Sequence, residues 1–386
     1  MRLGIVTSFP FPRGKATANR VSVFAEELEK NPYIDQVKIF CCSDLPTKTY
    51  HFTETIKIAN LYTMPASKRN LLIRAINELS STYKLWRNTQ SASLDIIIVT
   101  VPSIMLLLPM ALSRRKSFLV LDIRDAVWTY LPDSLFYNLA KKIMVLMLRL
   151  AAKKVDMVTV TNSSEALSVK IVTNIDPIVL ANGISNTRVT ELSNISLRES
   201  KDKLELSYIG NIGIAQELDS LLELAKVFND SLGINFIGDG ASLKALQFQC
   251  KQEAINNVKF FGEVSPDEVP QYMNSADILF AQIGQNFSSA IPTKIFEYIS
   301  AGRKILLGLP EGPAKEIFKN FYGVEIFHTG QFSEMESAFR RLVLQSYTSD
   351  HRELNLERLK KNFIRENTIL NFSDKLNEQL SNLKSN

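Results

Sequence analysis

The chain has 386 residues, 45 of them Lys or Arg and 40 Asp or Glu, for a net charge of +5. At about 100–200 residues per domain, this length predicts two or three domains with real cores. Hydrophobic content of 45% and charged content of 22% exclude disordered, collagen-like and disulfide-scaffold classes.

The N-terminal residues 1–7 read as a first strand, and Pro10 and Pro12 follow at once, unlike a secretory signal. Short β-branched runs then alternate with helical patterns. Strands are expected at 3–7, 36–41, 94–101, 117–122, 157–161 and 178–180, with helices between them, such as 19–29, 66–88 and 136–154. The apolar stretch 96–112 contains Pro102 and Pro109 and reads as a strand, a turn and a helix, not a membrane span. Cys41, Cys42 and Cys250 are odd in number and lack a framework spacing, which points to a reducing compartment. His51, His328 and His351 are too scattered to join them in a zinc site.

Residues 182–203 are polar, without sustained periodicity, and read as an interdomain linker. Alternation then resumes, with strands at 204–210, 234–237, 258–262, 278–282 and 304–307 and helices between them. Residues 350–386 form a helical tail rich in Leu, Lys and Glu. Such alternation predicts two doubly wound parallel-sheet domains, at 1–181 and 204–349, with a cleft between them.

Charge is uneven along the chain. Residues 1–180 carry 23 Lys+Arg against 14 Asp+Glu, and residues 181–386 carry 22 against 26. The helix at 66–88 holds Lys68, Arg69, Arg74, Lys84 and Arg87 among Leu, Tyr and Trp, and the helix at 136–154 is also basic. A basic amphipathic helix suits an anionic membrane surface, and it equally suits an ordinary helix with solvated lysines. No motif for nucleic acid accompanies the charge.

In doubly wound sheets ligands bind beyond the carboxyl ends of the strands. Four loops lie there. The first contains Arg13, Gly14 and Lys15 before a helix, the second is Gly210-Asn211-Ile212-Gly213, and the third is Gly238-Asp239-Gly240. Glycines before a helix suit a diphosphate laid on backbone amides, or simply a tight turn. The fourth runs from Ser288 through Ser289, Ala290 and Ile291 to Pro292-Thr293-Lys294, with Glu297 one turn on. Lys294 and Glu297 at i,i+3 share a helix face. They form either a bare ion pair or a nucleoside-diphosphate site, with Lys294 on phosphate and the carboxylate on ribose hydroxyls.

The ordered series of Gly14, Asp122-Ile123-Arg124-Asp125-Ala126-Val127-Trp128, Ala181-Asn182-Gly183-Ile184, Tyr208-Ile209-Gly210-Asn211-Ile212-Gly213, Ile237-Gly238-Asp239-Gly240, Val258-Lys259-Phe260-Phe261-Gly262 and Pro292-Thr293-Lys294-Ile295-Phe296-Glu297-Tyr298 resembles glycosyltransferase family 4. Its Gly-Asn-Ile-Gly-Ile-Ala-Gln and Ala-Ile-Pro-Thr-Lys segments are similar to the fucosamine-transferase-like branch of bacterial surface-polysaccharide enzymes. The resemblance implies an α/β GT-B fold of two Rossmann-like doubly wound domains facing each other across a cleft, with the C-terminal helical tail, 350–386, packing back on the N-terminal domain. It implies an acceptor-binding first domain and a nucleotide-sugar-binding second domain.

By the same resemblance the chain is a retaining transferase that moves a sugar of N-acetylhexosamine type from a UDP-sugar to a lipid-linked or saccharide acceptor. It would work without metal or other cofactor, in the cytoplasm, peripheral on the inner face of the cell membrane. Donor contacts fall to Gly14, Asn211, Gly213, Gly238, Gly240, Ser289, Ala290, Ile291, Lys294 and Glu297. Asp125 and Lys294 are the expected catalytic residues, and Arg13, Lys15 and Arg124 are expected to reach the acceptor or diphosphate. The chain departs from the family in two places. Ser289 stands where the first of two glutamates eight positions apart is usual, and the loop 211–217 lacks the usual Arg and Lys. Lys294 is then left as the main phosphate cation. A nucleotide-sugar-sensing subunit and a UDP-sugar 2-epimerase on the same fold remain the alternatives.

Overall fold

The computed structural model describes residues 1–12, 16–63, 71–101, 103–114, 117–129, 131, 133–197 and 203–384. Arg13, Gly14, Lys15, Lys68 and Arg69, with the side chain of Arg74, lie outside the described residues. In chain order the elements begin with β1 (Arg2–Thr7), α1 (Ala16–Glu29), β2 (Gln36–Ser43), β3 (Lys48–His51), β4 (Ile56–Tyr62) and α2 (Leu71–Gln90). Then come β5 (Ile96–Val101), α3 (Leu107–Leu112), β6 (Phe118–Ile123), α4 (Leu135–Ala152), β7 (Met157–Val160), α5 (Ser163–Thr173), β8 (Ile178–Val179) and α6 (Asn186–Ser193). They continue with β9 (Leu204–Ile209), α7 (Ser220–Val227), β10 (Leu232–Ile237), α8 (Leu243–Gln252), β11 (Val258–Gly262), α9 (Val269–Ser275), β12 (Ile278–Gln282) and α10 (Lys294–Ser300). The last are β13 (Lys304–Leu309), α11 (Pro313–Phe318), β14 (Val324–His328), α12 (Phe332–Leu344), α13 (Ser349–Asn362) and α14 (Arg365–Lys384).

The chain divides into two compact units. Unit 1 comprises Met1–Asn182 and Arg365–Asn386, and unit 2 comprises Gly183–Ile364. The sheet of unit 1 runs β3-β4-β2-β1-β5-β6-β7-β8, parallel except where β3 meets β4. Every residue of β5, Ile-Ile-Ile-Val-Thr-Val, is buried, as expected of a central strand covered on both faces. On one face, α1 and α14 supply Phe24, Leu28 and Phe372 to a core under Ile5 and Ile98. On the other, α2, α3 and α4 supply Trp86, Met110 and Leu148. The sheet of unit 2 runs β11-β10-β9-β12-β13-β14, with every pairing parallel.

Both sheets are doubly wound, as the alternating pattern predicts. Two parts differ from the sequence reading. The segment 182–203, expected as linker, carries α6, whose Val189 and Leu192 are fully buried in the core of unit 2. Eight residues with two apolar anchors give too little periodicity to register as a helix in isolation. The tail is also divided. α13 belongs to unit 2, where Leu359 is buried, and α14 belongs to unit 1, where Asn31 Nδ2 donates to Ser373 Oγ at 2.8 Å and to Asn377 Oδ1 at 2.9 Å. Among the described residues, no helix is long and apolar enough to cross a membrane. Cys41, Cys42 and Cys250 are buried free thiols.

Candidate functional site

In unit 2 the strand order reverses between β9 and β12, and in doubly wound sheets ligands bind beyond the carboxyl ends of the strands at such a switch point. Three of the four anticipated loops start from strands of this sheet. The loop after β9 and the loop after β10 are laced together by backbone bonds, Gly210 N–H to the Ile237 carbonyl at 2.7 Å and Ile212 N–H to the Asp239 carbonyl at 2.8 Å. Gly238 has φ +138°, and a Cβ there would fall 1.9 Å from the Gly210 carbonyl oxygen. Only glycine permits this backbone-to-backbone approach.

The segment after β12 brings in Lys294 at the start of α10. Its ammonium donates to the Ile209 carbonyl at the end of β9 and stands 5.6 Å from the Tyr208 ring centroid. A Cβ on Gly210, whose φ is +141°, would lie 1.6 Å from Lys294 Nζ. The missing side chain of Gly210 is therefore the space the ammonium occupies. Burial pushes the Lys294 ammonium down to about 8, against an opposing pull from Glu297. Tyr298, one turn beyond Lys294, shares the Ile209 carbonyl through its hydroxyl at 3.3 Å.

Glu297 projects from the same helix and meets Arg188 of α6 at 3.5 Å, and Arg188 also bonds Glu191 at 2.8 Å. Half-burial alone would lower the Arg188 guanidinium, but these two carboxylates raise it above its ordinary value. Glu297 retains 34% side-chain exposure, so its carboxylate is oriented and still reachable. Arg188 carries no sequence signal, because it lies in a segment that reads as linker.

Several amides that glycine spacing offers to a diphosphate are already engaged. Gly210 and Ile212 donate as described, and Gly213 N–H donates to Gln216 Oε1 at 3.1 Å. Asn211 Nδ2 approaches the same Gln216 oxygen at 3.4 Å, and its own carbonyl accepts from Tyr208 at 2.6 Å. Gly240 N–H turns onto Asp239 Oδ1 at 2.7 Å. Ala290 N–H donates to the Phe287 carbonyl at 3.0 Å, Ile291 packs partly buried against the core, and Ser289 is also bonded within the fold. The glycines thus let the two loops pack closely, and Lys294 stands beside them.

In unit 1, Asp122 is wholly buried at the end of β6. Arg20 of α1 grips it with two bonds, at 3.0 and 2.6 Å, and also donates to the Leu180 carbonyl and to Asn182. Thr159 donates to Asp122 at 2.7 Å. This pair ties α1, β6, β7 and the end of the last parallel strand together. Arg124 is 8% exposed, and burial lowers its guanidinium. Asp125 is exposed at the surface of the unit, although enclosing protein raises its carboxyl, with Arg124 and Arg20 pulling the other way. Nearby, burial pushes Glu165 of α5 up to about 7; bonds from the Thr161 hydroxyl and N–H oppose this, and the Asp125 charge adds to it. Glu165 went unnoticed in the sequence, because a carboxylate in a helix's first turn ordinarily reads as a solvated cap.

Residues 190–361, all within unit 2, match the family model described as Glycosyl transferases group 1. No curated protein matches the sequence significantly. Sucrose-phosphate synthase from Thermosynechococcus elongatus superposes with a TM-score of 0.78 at 11% identity, over 98% of this chain and 99% of that one. The lipopolysaccharide outer core galactosyltransferase WaaB superposes at 0.65 and 15% identity, over 98% and 100%. Anabaena HepE in complex with UDP and glucose superposes at 0.65 and 14% identity, over 98% and 99%. The fold is therefore GT-B, two Rossmann-like units, and residues 190–361 of unit 2 are similar to a group 1 glycosyltransferase domain.

Proposed function

We propose that this protein is a retaining glycosyltransferase of family 4, in the fucosamine-transferase-like branch. It moves a sugar of N-acetylhexosamine type from a UDP-sugar to a lipid-linked or saccharide acceptor in surface-polysaccharide assembly. The observation that carries this reading is Lys294, an ammonium held on the Ile209 carbonyl in the space left by Gly210, at the switch point of the unit 2 sheet. In this reading Lys294 takes the diphosphate, and Glu297 one turn away takes the ribose hydroxyls. UDP bound in HepE, and the outer-core role named for WaaB, favour this donor and this acceptor class.

The acceptor hydroxyl forms the new bond to the anomeric carbon as the bond from that carbon to the β-phosphate oxygen breaks. The hydroxyl proton passes to a phosphate oxygen of departing UDP. Lys294 offsets the charge that grows on the diphosphate, so no metal is required. Asp125 orients sugar or acceptor, with Arg124 beside it. Arg13 and Lys15 serve the acceptor or the diphosphate, and Gly14, Asn211, Gly213, Gly238, Gly240, Ser289, Ala290 and Ile291 serve the donor. The protein works in the cytoplasm, against an anionic membrane where the acceptor resides.

The test is UDP release from a panel of UDP- and GDP-sugars, with a bacterial membrane extract as acceptor and EDTA present. Release from one UDP-sugar that depends on the extract is the expected result. Conversion of UDP-sugar without extract would mark an epimerase, and UDP binding without release would mark a sensing subunit.

A further inference from the structure

Helices α2, α3 and α4 cover one face of the unit 1 sheet, through Trp86, Met110 and Leu148, so their outer sides form one surface. Along α4, Leu135, Leu139, Ile143, Leu146 and Leu150 are 94, 59, 49, 55 and 39% exposed. Their spacing of four, four, three and four residues keeps them in a single stripe. Lys142, Arg149 and Lys153, all exposed, fall along one edge of that stripe, and α4 contains no acidic residue. Between α2 and α3 lies a groove of about 650 Å³, lined by Ile76, Leu79, Tyr83, Leu108 and Leu112, with Arg87 at its rim. Leu112 is 77% exposed and Ile76 66%.

A stripe of five exposed aliphatic side chains on a helix that already buries its opposite side is more than scattered surface apolarity. We propose that the outer side of α2, α3 and α4 docks on an anionic lipid bilayer, with the α4 stripe and the groove receiving acyl chains and the basic edge meeting headgroup phosphates. The inference rests on the membrane-borne acceptor proposed above and assigns it a surface. Charge decides the occupant. A second copy packed symmetrically on this side would set Lys142, Arg149 and Lys153 against themselves or an apolar stripe, with no carboxylate on α4 to pair them. An anionic headgroup layer supplies the missing countercharge, and each cation near it adds favourable energy.

The experiment is co-sedimentation of the full chain with vesicles of phosphatidylcholine alone and of phosphatidylcholine with phosphatidylglycerol. Binding to the anionic vesicles is expected, weakened by salt and weakened at least tenfold by the double variant Leu139→Glu with Leu146→Glu. Both positions are more than half exposed, and unchanged circular dichroism and UDP affinity verify that the variant folds. Wild-type protein that ignores anionic vesicles, or a double variant that binds them equally well, overturns the proposal. So does a wild-type dimer in light scattering that the same variant dissolves, since the surface would then belong to a second copy. Vesicle binding in the absence of any UDP release would uphold the surface and defeat the transferase reading, so the two fail separately.

Discussion

Replacing Lys294 with Met should weaken donor binding and stabilise the fold at once. The ammonium stands at about 8 because burial disfavours its charged form. An ordinary lysine titrates near 10.5, so the folded value is depressed. Its contribution to stability is therefore greatest above the unfolded value and falls as pH drops through about 8. The difference corresponds to at most about 3 kcal/mol at pH 7, and discounting for the part of the side chain that reaches solvent leaves about 1–2 kcal/mol. Met removes that penalty, and the Ile209 carbonyl keeps its bond from the Tyr298 hydroxyl.

Donor binding should move the other way. A charge-assisted bond to phosphate is worth about 1.5–3 kcal/mol, which predicts roughly 10- to 150-fold weaker UDP binding. From a value of about 8, the free protein holds Lys294 charged in about nine-tenths of molecules at pH 7 and about one-tenth at pH 9. The ratio of wild-type to variant affinity, in which the nucleotide's own titration cancels, should fall about tenfold over that range. Calorimetric titration with UDP at several pH values, beside thermal melts of both proteins, measures each quantity. A ratio that stays constant between pH 7 and 9 would refute the placement of Lys294 on the diphosphate. A variant that binds weakly and also melts earlier would refute the buried-charge argument.

Glu165 gives a second pH signature in unit 1. Its folded value of about 7 lies above the ordinary 4.5, so its stability contribution is full below about 4.5 and lost as pH rises through 7; Glu165→Gln should flatten the stability profile over this window by about 3 kcal/mol in denaturant titrations. Asp122→Asn leaves Arg20 buried without its charge partner and should cost about 3–5 kcal/mol, read as an earlier urea midpoint. Gly210→Ala meets the Lys294 ammonium at a positive φ and should reduce UDP affinity at least tenfold, at a stability cost of about 1–3 kcal/mol. Equal UDP affinity in that variant would show that the ammonium can bind from elsewhere.

Much of the architecture is legible in the residues. The buried run Ile-Ile-Ile-Val-Thr-Val of β5 cannot face water on either side, so it predicts a central strand covered by helices, and the restart of the same rhythm after residue 203 predicts a second sheet. The hairpin β3–β4 escaped notice because β3 is mostly exposed and its pairing is made by backbone groups that no side-chain pattern reports. In the candidate site, Pro-Thr-Lys before an apolar helix marks Lys294 locally, and Glu297 and Tyr298 follow from helical spacing. These features depend on neighbours within a few positions, so the chain alone determined them.

Tertiary structure decided the rest. Lys294 reaches its carbonyl and its glycine only because β9 and β12 lie side by side at the strand-order reversal. Arg20 finds Asp122 across 102 positions, and Arg188 finds Glu297 because a polar helix in the expected linker has its two apolar residues drawn into the core of unit 2. The depressed ammonium of Lys294 and the raised carboxyl of Glu165 likewise arise from exclusion of water by distant segments. Burial and long-range pairing are properties of the packed interior, and no window of sequence contains them.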